Sequence, residues 1–171
     1  MGYAGGTKKN PTYRDIGDHS ETTQMDYDPS KISYSELLEV FWKTHNPCAR
    51  AYSRQYMSAI WTHNDDQRRL ALESKAREER RRGSTLETEI APLREFTLAE
   101  DYHQKYELRS DSELIEEFRA IYTDAQFVNS TAAMRVNAAL GGHVKDALLR
   151  AEVDRYGLSP KARERLLGAG R

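Results

Sequence analysis

Apolar residues recur at Tyr34, Leu37, Leu38, Phe41 and Trp42, three and four positions apart, which places them on one face of an α-helix. Ser33 and Glu36 have the spacing of a capping box, so the pattern predicts a helix that opens at Ser33 and closes before Pro47. A second helix is predicted from a cap at Asn64 through Arg82, stopped by Gly83. It has so few apolar positions that most of its surface must be wet. Strict alternation marks strands instead: Thr23, Met25 and Tyr27 within 22–27, and Leu86, Thr88 and Ile90 between Glu87 and Glu89. Gln55 to Trp61 carries few charges and predicts a central strand. Residues 1–21 hold Gly2, Gly5, Gly6 and Pro11 and predict a loop.

Beyond Pro92 a connection leads through a short segment, Leu98 to Tyr106, into helical sequence. Ser110 is placed to cap a helix over 111–122, another covers about 130–140 and ends at Gly141-Gly142, and a third over 143–156 ends at Gly157. Ser159-Pro160 starts the last. The first half therefore reads strand–helix–strand–helix–strand, an α+β arrangement. The expected fold is a ferredoxin-like two-layer core, incomplete at its N-terminus, over 1–108, with a helical C-terminal extension over 109–171. Three strands make a thin sheet for two amphipathic helices, and strands preceding residue 1 would cover it better.

Composition narrows the functions. A net charge of −1 argues against a dedicated nucleic-acid or anionic-membrane surface. The basic run Arg77, Arg80, Arg81 and Arg82 is interleaved with Glu78 and Glu79 and reads as a solvated helix face. No apolar run approaches the about 18 residues a membrane span needs. No basic-then-apolar leader is visible, and the single cysteine, Cys48, rules out an internal disulfide, so a cytoplasmic monomer is expected. His19, His45, His63, His103 and His143 are scattered without metal-ligand spacing, so no metal is expected.

Co-linear motifs over residues 1 to about 108 carry a resemblance. Gly2-Tyr3-Ala4-Gly5-Gly6, Asn10-Pro11-Thr12-Tyr13, His19-Ser20-Glu21, Tyr27-Asp28-Pro29, the Leu37-Leu38-Glu39-Val40-Phe41-Trp42 helix, Gln55-Tyr56-Met57-Ser58-Ala59-Ile60 and Ala99-Glu100-Asp101-Tyr102-His103-Gln104-Lys105-Tyr106 are similar to motifs of the A-type peptide methionine sulfoxide reductases. The resemblance implies reduction of methionine S-sulfoxide, free or in oxidised proteins, with no bound cofactor and with thioredoxin, glutaredoxin or glutathione as thiol reductant. It implies Glu21 as the proton donor to the sulfoxide oxygen and Tyr3 and Tyr56 as hydrogen-bonding partners of that oxygen. Gln55 and His103 are expected to support them. Two departures stand out. The family's nucleophile, a Cys or selenocysteine, lies in a Gly-Cys-Phe-Trp motif ahead of the GYAGG turn, and this sequence holds no such motif. The expectation is that the N-terminal strand and nucleophile segment are missing, and the alternative is an inactive or binding relic. In addition, Ala51 stands where the family usually has Asp, five positions before Tyr56. Cys48 lacks the nucleophile's context and reads as a structural, resolving or surface thiol.

Overall fold

A computed structural model of the chain describes residues 1–169, which fall in two compact units, residues 1–100 and 101–169. In the first unit, β1 (Gly2–Ala4) is the middle strand of an antiparallel sheet, between β2 (Ser20–Thr22) and β5 (Phe96–Leu98). Its register sets Tyr3 opposite Glu21 on one side and Thr97 on the other. The loop expected over residues 1–21 is thus corrected at both ends. Gly2, Tyr3 and Ala4 form a strand because two neighbours satisfy the backbone on both edges and bury all three residues. The strand expected over 22–27 begins and ends earlier: it stops at Thr22, and Met25 is 61% exposed with no sheet beneath it.

The helix opened by Ser33 is α1 (Tyr34–Lys43), with both halves of the capping box formed between Ser33 and Glu36. It buries Leu38 and Trp42. The strand expected over 55–61 divides. Arg54–Tyr56 is a 3₁₀ turn, and β3 (Ala59–Thr62) follows it. Then α2 (Asp65–Arg82) runs from its cap, Asn64, to Gly83, whose φ of 66° ends it in the left-handed region. The chain returns along β4 (Glu89–Pro92), parallel to β3 with Ile60 opposite Ile90. A parallel pair needs a crossover, and α2 supplies it. Leu86 and Thr88 are buried and alternate with exposed Glu87 as expected, but pairing starts only at Glu89. Leu38, Trp42, Ile60, Ala71 and Leu86 form the core between α1, α2 and this sheet.

The second unit is helical: α3 (Tyr106–Ser110), α4 (Ser112–Ile121), α5 (Asp124–Asn129), α6 (Thr131–Leu140), α7 (Asp146–Glu152) and α8 (Pro160–Ala169). Leu114, Phe118, Val136, Leu149 and Leu166 lie in its core. The cap of α4 is Asp111 rather than Ser110, because the Asp111 carboxylate accepts from the amides of Glu113 and Leu114. The same carboxylate receives Arg165 of α8 at 2.8 Å, so one acid caps one helix and ties it to another. The short α5, capped by Thr123, has no counterpart in the expected pattern because only Phe127 of it is buried. The chain is thus a mixed one of small sheets and many helices, and among the described residues the strands number five, in two sheets rather than one sheet of three.

Phe118 is fully buried, whereas Ile121 on the same helix is 50% exposed. Phe118→Ala should cost about 3–5 kcal/mol in urea unfolding, and Ile121→Ala less than about 1 kcal/mol. Equal losses would contradict the placement of this core.

Candidate active site

The loop from Gly5 to His19 is held by its own polar groups. Asp18 accepts from the Thr7 amide at 2.8 Å, the Lys8 amide at 3.0 Å and the Thr7 hydroxyl at 2.9 Å. The buried His19 accepts the Gly6 N–H on Nδ1, so its proton sits on Nε2, which donates to the Lys8 carbonyl at 2.8 Å. The Arg54 guanidinium donates to the carbonyls of Asp18 and Gly5 and so fastens the 3₁₀ turn to both ends of the loop. At Gly5 the φ of +79° and the Trp61 ring, 2.3 Å from where a Cβ would stand, leave room only for glycine.

These anchors bring three predicted residues together. Glu21, half-buried on β2, accepts from the Gln55 side-chain amide at 2.7 Å. The same nitrogen donates to the Tyr56 hydroxyl oxygen at 3.1 Å. Because that oxygen accepts, the proton of Tyr56 is free to point outward. Its neighbour there is the hydroxyl of Tyr13, 3.4 Å away. That separation is long for an O–H···O bond, so a ligand oxygen could replace the contact at little cost. The contact with Tyr13, followed by burial and the charges of Tyr13 and Glu21, raises the pKa of Tyr56 above the ordinary phenol value of 10.0. Tyr56 is a hydrogen-bond donor throughout the physiological range.

Glu21 and Tyr56 both line an open cleft of about 560 Å³. One wall is β2 and the chain after it. The others are α1, through Tyr34, Leu37 and Phe41, and β3, through Ile60 and Trp61. It is lined mostly by apolar and aromatic side chains with a few convergent polar groups, the usual character of a small-molecule site.

The remaining predicted residues lie elsewhere. Tyr3 is 1% exposed, its hydroxyl donates to Glu100 at 2.6 Å, and, like Tyr13 and Gln55, it is not among the residues that line the cleft. His103 is in the second unit, where its ring packs at a tilt against Tyr102, 4.2 Å between centroids. Cys48 packs beside the Leu38–Trp42 core and is absent from the cleft wall. Ala51 offers no polar group. Tyr13 is the residue that sequence reasoning passed over, although the Asn10-Pro11-Thr12-Tyr13 corner had been singled out. Nothing local in those four residues shows that the turn folds back onto Tyr56.

Relatives of the chain are known. Residues 1–135 match the family described as peptide methionine sulfoxide reductase. The chain belongs to that family. A peptide methionine sulfoxide reductase of Drosophila melanogaster is 38% identical over 166 residues, covering 96% of this chain and 67% of the fly protein. The peptide methionine sulfoxide reductase MsrA of Methanococcoides burtonii is 46% identical over 117 residues, 62% of this chain and 76% of that one. Among solved structures, reduced Mxr1 from Saccharomyces cerevisiae superposes with a TM-score of 0.60 at 27% identity, over 64% of this chain and 68% of its own. The reductase family match runs past residue 108 into the helical unit. Among the described residues no helix is long and apolar enough to cross a membrane.

Hydrogen bonds from Thr7 and Lys8 hold the pKa of Asp18 well below its ordinary value of 3.8. A carboxylate whose folded pKa is depressed stabilises fully above its unfolded value and loses that effect as pH falls through the folded one. The Thr7 and Lys8 amide resonances should therefore keep their bonded shifts on mild acidification and lose them only well below 3.8. Asp18→Asn should shift them at neutral pH. Shifts unchanged in Asp18→Asn would show that Asp18 does not hold the loop.

Proposed function

We propose that this chain supplies the substrate-holding and proton-donating half of a peptide-methionine (S)-S-oxide reductase acting on free and protein-bound methionine sulfoxide. The observation that carries the reading is the joint presentation of Glu21 and Tyr56 to one apolar-walled cleft, with Gln55 bonded to both. In this reading the sulfoxide oxygen displaces the long Tyr13–Tyr56 contact and accepts from both phenols, while Glu21 delivers a proton to it. A sulfoxide oxygen leaves poorly until protonated, so the acid and the donors belong on the same atom. This moves the second clamp from Tyr3 to Tyr13 and leaves Tyr3 a supporting place beneath the site.

A thiolate or selenolate attacks the substrate sulfur as the S–O bond breaks. The protonated oxygen leaves as water. A water molecule then attacks the nucleophile's sulfur or selenium and breaks its new bond to the substrate sulfur, so that methionine departs and the nucleophile is left as a sulfenic or selenenic acid. One thiol condenses with that acid, releasing water and forming a mixed disulfide, and a second thiol resolves it. The net change is sulfoxide plus two thiols to methionine, disulfide and water. Thioredoxin, glutaredoxin or glutathione would provide the thiols. Because Cys48 does not line the cleft, the nucleophile is proposed to come from outside residues 1–171. Residues 109–171 are proposed to be a helical extension with a cytoplasmic, monomeric protein as their setting.

Protein carrying the nucleophile segment should turn over the S epimer with dithiothreitol. Glu21→Gln should lower kcat by roughly 10²–10⁴, the usual contribution of a positioned acid. Cys48→Ser should leave the rate within about two-fold, as expected of a residue that makes no contact with the reacting atoms. Loss of turnover in a folded Cys48→Ser variant would overturn the assignment, as would full activity in Glu21→Gln.

A further inference from the structure

Tyr13 lies on an exposed turn, with Asn10 at a φ of 49° and Thr12 bridged to Asp15 within the turn itself. Its ring can face Tyr56 consistently only if something outside the turn fixes its main chain. The Tyr13 N–H donates to Glu100 Oε1 at 3.0 Å, across 87 positions of sequence. The other carboxylate oxygen, Oε2, accepts from the fully buried Tyr3 hydroxyl at 2.6 Å. Glu100 follows the buried Ala99, the first residue past β5, whose amide donates to the Met1 carbonyl. The carboxylate thus stands on the sheet and reaches out to the turn.

We propose that Glu100 is the positioning residue of this site, holding Tyr13 against Tyr56 from an anchor on Tyr3. The contacts then close a circuit. Tyr3 binds Glu100, Glu100 binds Tyr13, Tyr13 meets Tyr56, Gln55 joins Tyr56 to Glu21, and Glu21 is the cross-strand partner of Tyr3. Bonds to a carboxylate are the stronger kind, so the two made by Glu100 are suited to holding a turn that buries little of its own. Tyr3 serves as the fixed end because its ring is locked in β1 between two strands. The functional meaning rests on the reading of Tyr13 and Tyr56 as clamps for the sulfoxide oxygen, whereas the positioning itself does not.

The test uses the 171-residue protein with labelled tyrosines. In wild type a ring-to-ring NOE should link Tyr13 and Tyr56, and Tyr56 should ionise above the ordinary phenol value. Glu100→Ala should abolish the NOE, lower the pH at which Tyr56 ionises, and weaken methionine S-sulfoxide binding roughly ten-fold, the equivalent of one lost hydrogen bond to a charged group. Glu100→Gln, which keeps one acceptor oxygen, should lie between. If burying an unpartnered Tyr3 hydroxyl prevents folding, Tyr3→Phe combined with Glu100→Ala removes that defect and is measured in the same way. A folded variant with wild-type NOE and Tyr56 ionisation overturns the proposal. Loss of both signals in a protein whose wild type ignores the sulfoxide upholds the positioning role and removes the clamp reading instead.

Discussion

The side-chain amide of Gln55 has two N–H bonds and spends them on different chemistry, one on the Glu21 carboxylate and one on the Tyr56 oxygen. That pairing determines what the site can do. It fixes the carboxylate of β2 relative to the phenol of the 3₁₀ turn, and by donating to the Tyr56 oxygen it leaves the Tyr56 proton for another acceptor. Neither group could be placed so well by its own element. Tyr56 is 43% exposed, and Glu21 sits on the outermost strand of a three-residue-wide sheet. A hydrogen-bonded pair at a low-dielectric wall gains more from one shared donor than two solvated groups would.

The fold is arranged to make that contact possible. Strand β1 is only three residues long, yet it is buried and paired on both edges, so it fixes β2 and β5 with respect to each other. From β2 comes Glu21, and beyond β5 comes Glu100. The 3₁₀ turn is delivered from the other side by the connection between α1 and β3, and Arg54 binds it to the loop ends at Gly5 and Asp18. Trp61 of β3 packs against Gly5 and donates to Thr22 at 3.2 Å, which closes the space between the two sheets. The parallel β3–β4 pair and its crossover helix form a stable floor beneath this, with Trp42 bonded through its indole N–H to the buried Ser74.

Elements whose causes are local could be read from the sequence. The Ser33–Glu36 box, the Asn64 cap, the Gly83 stop and the Ser159-Pro160 start each lie within one turn of the helix they define, and each is where the pattern put it. Strands were another matter. Gly2-Tyr3-Ala4 has the composition of a turn and becomes a strand only through partners about 20 and 95 residues away, a pairing that no periodicity of three residues can announce. The same limit applied to the site. Glu21, Gln55 and Tyr56 are candidates because they stand in recognisable motifs, and in the fold Gln55 bonds to both of the others. Tyr3 is the expected partner of the sulfoxide oxygen and Tyr13 the proposed one, and nothing local distinguishes two tyrosines in glycine- or proline-rich corners. What separates them is burial and the contact of Tyr13 with Tyr56, both of which arise from long-range packing.

The decisive measurement is an NMR titration of the protein with the two epimers of methionine sulfoxide, followed through the side-chain amide of Gln55. With the S epimer, the Gln55 side-chain signals and the ring signals of Tyr13 and Tyr56 should shift together and saturate at one ligand concentration, because a single oxygen enters a single hydrogen-bonded array. The R epimer should produce no such saturation. If the S epimer shifts other residues and leaves Gln55, Tyr13 and Tyr56 unmoved, this array is not where the sulfoxide oxygen binds.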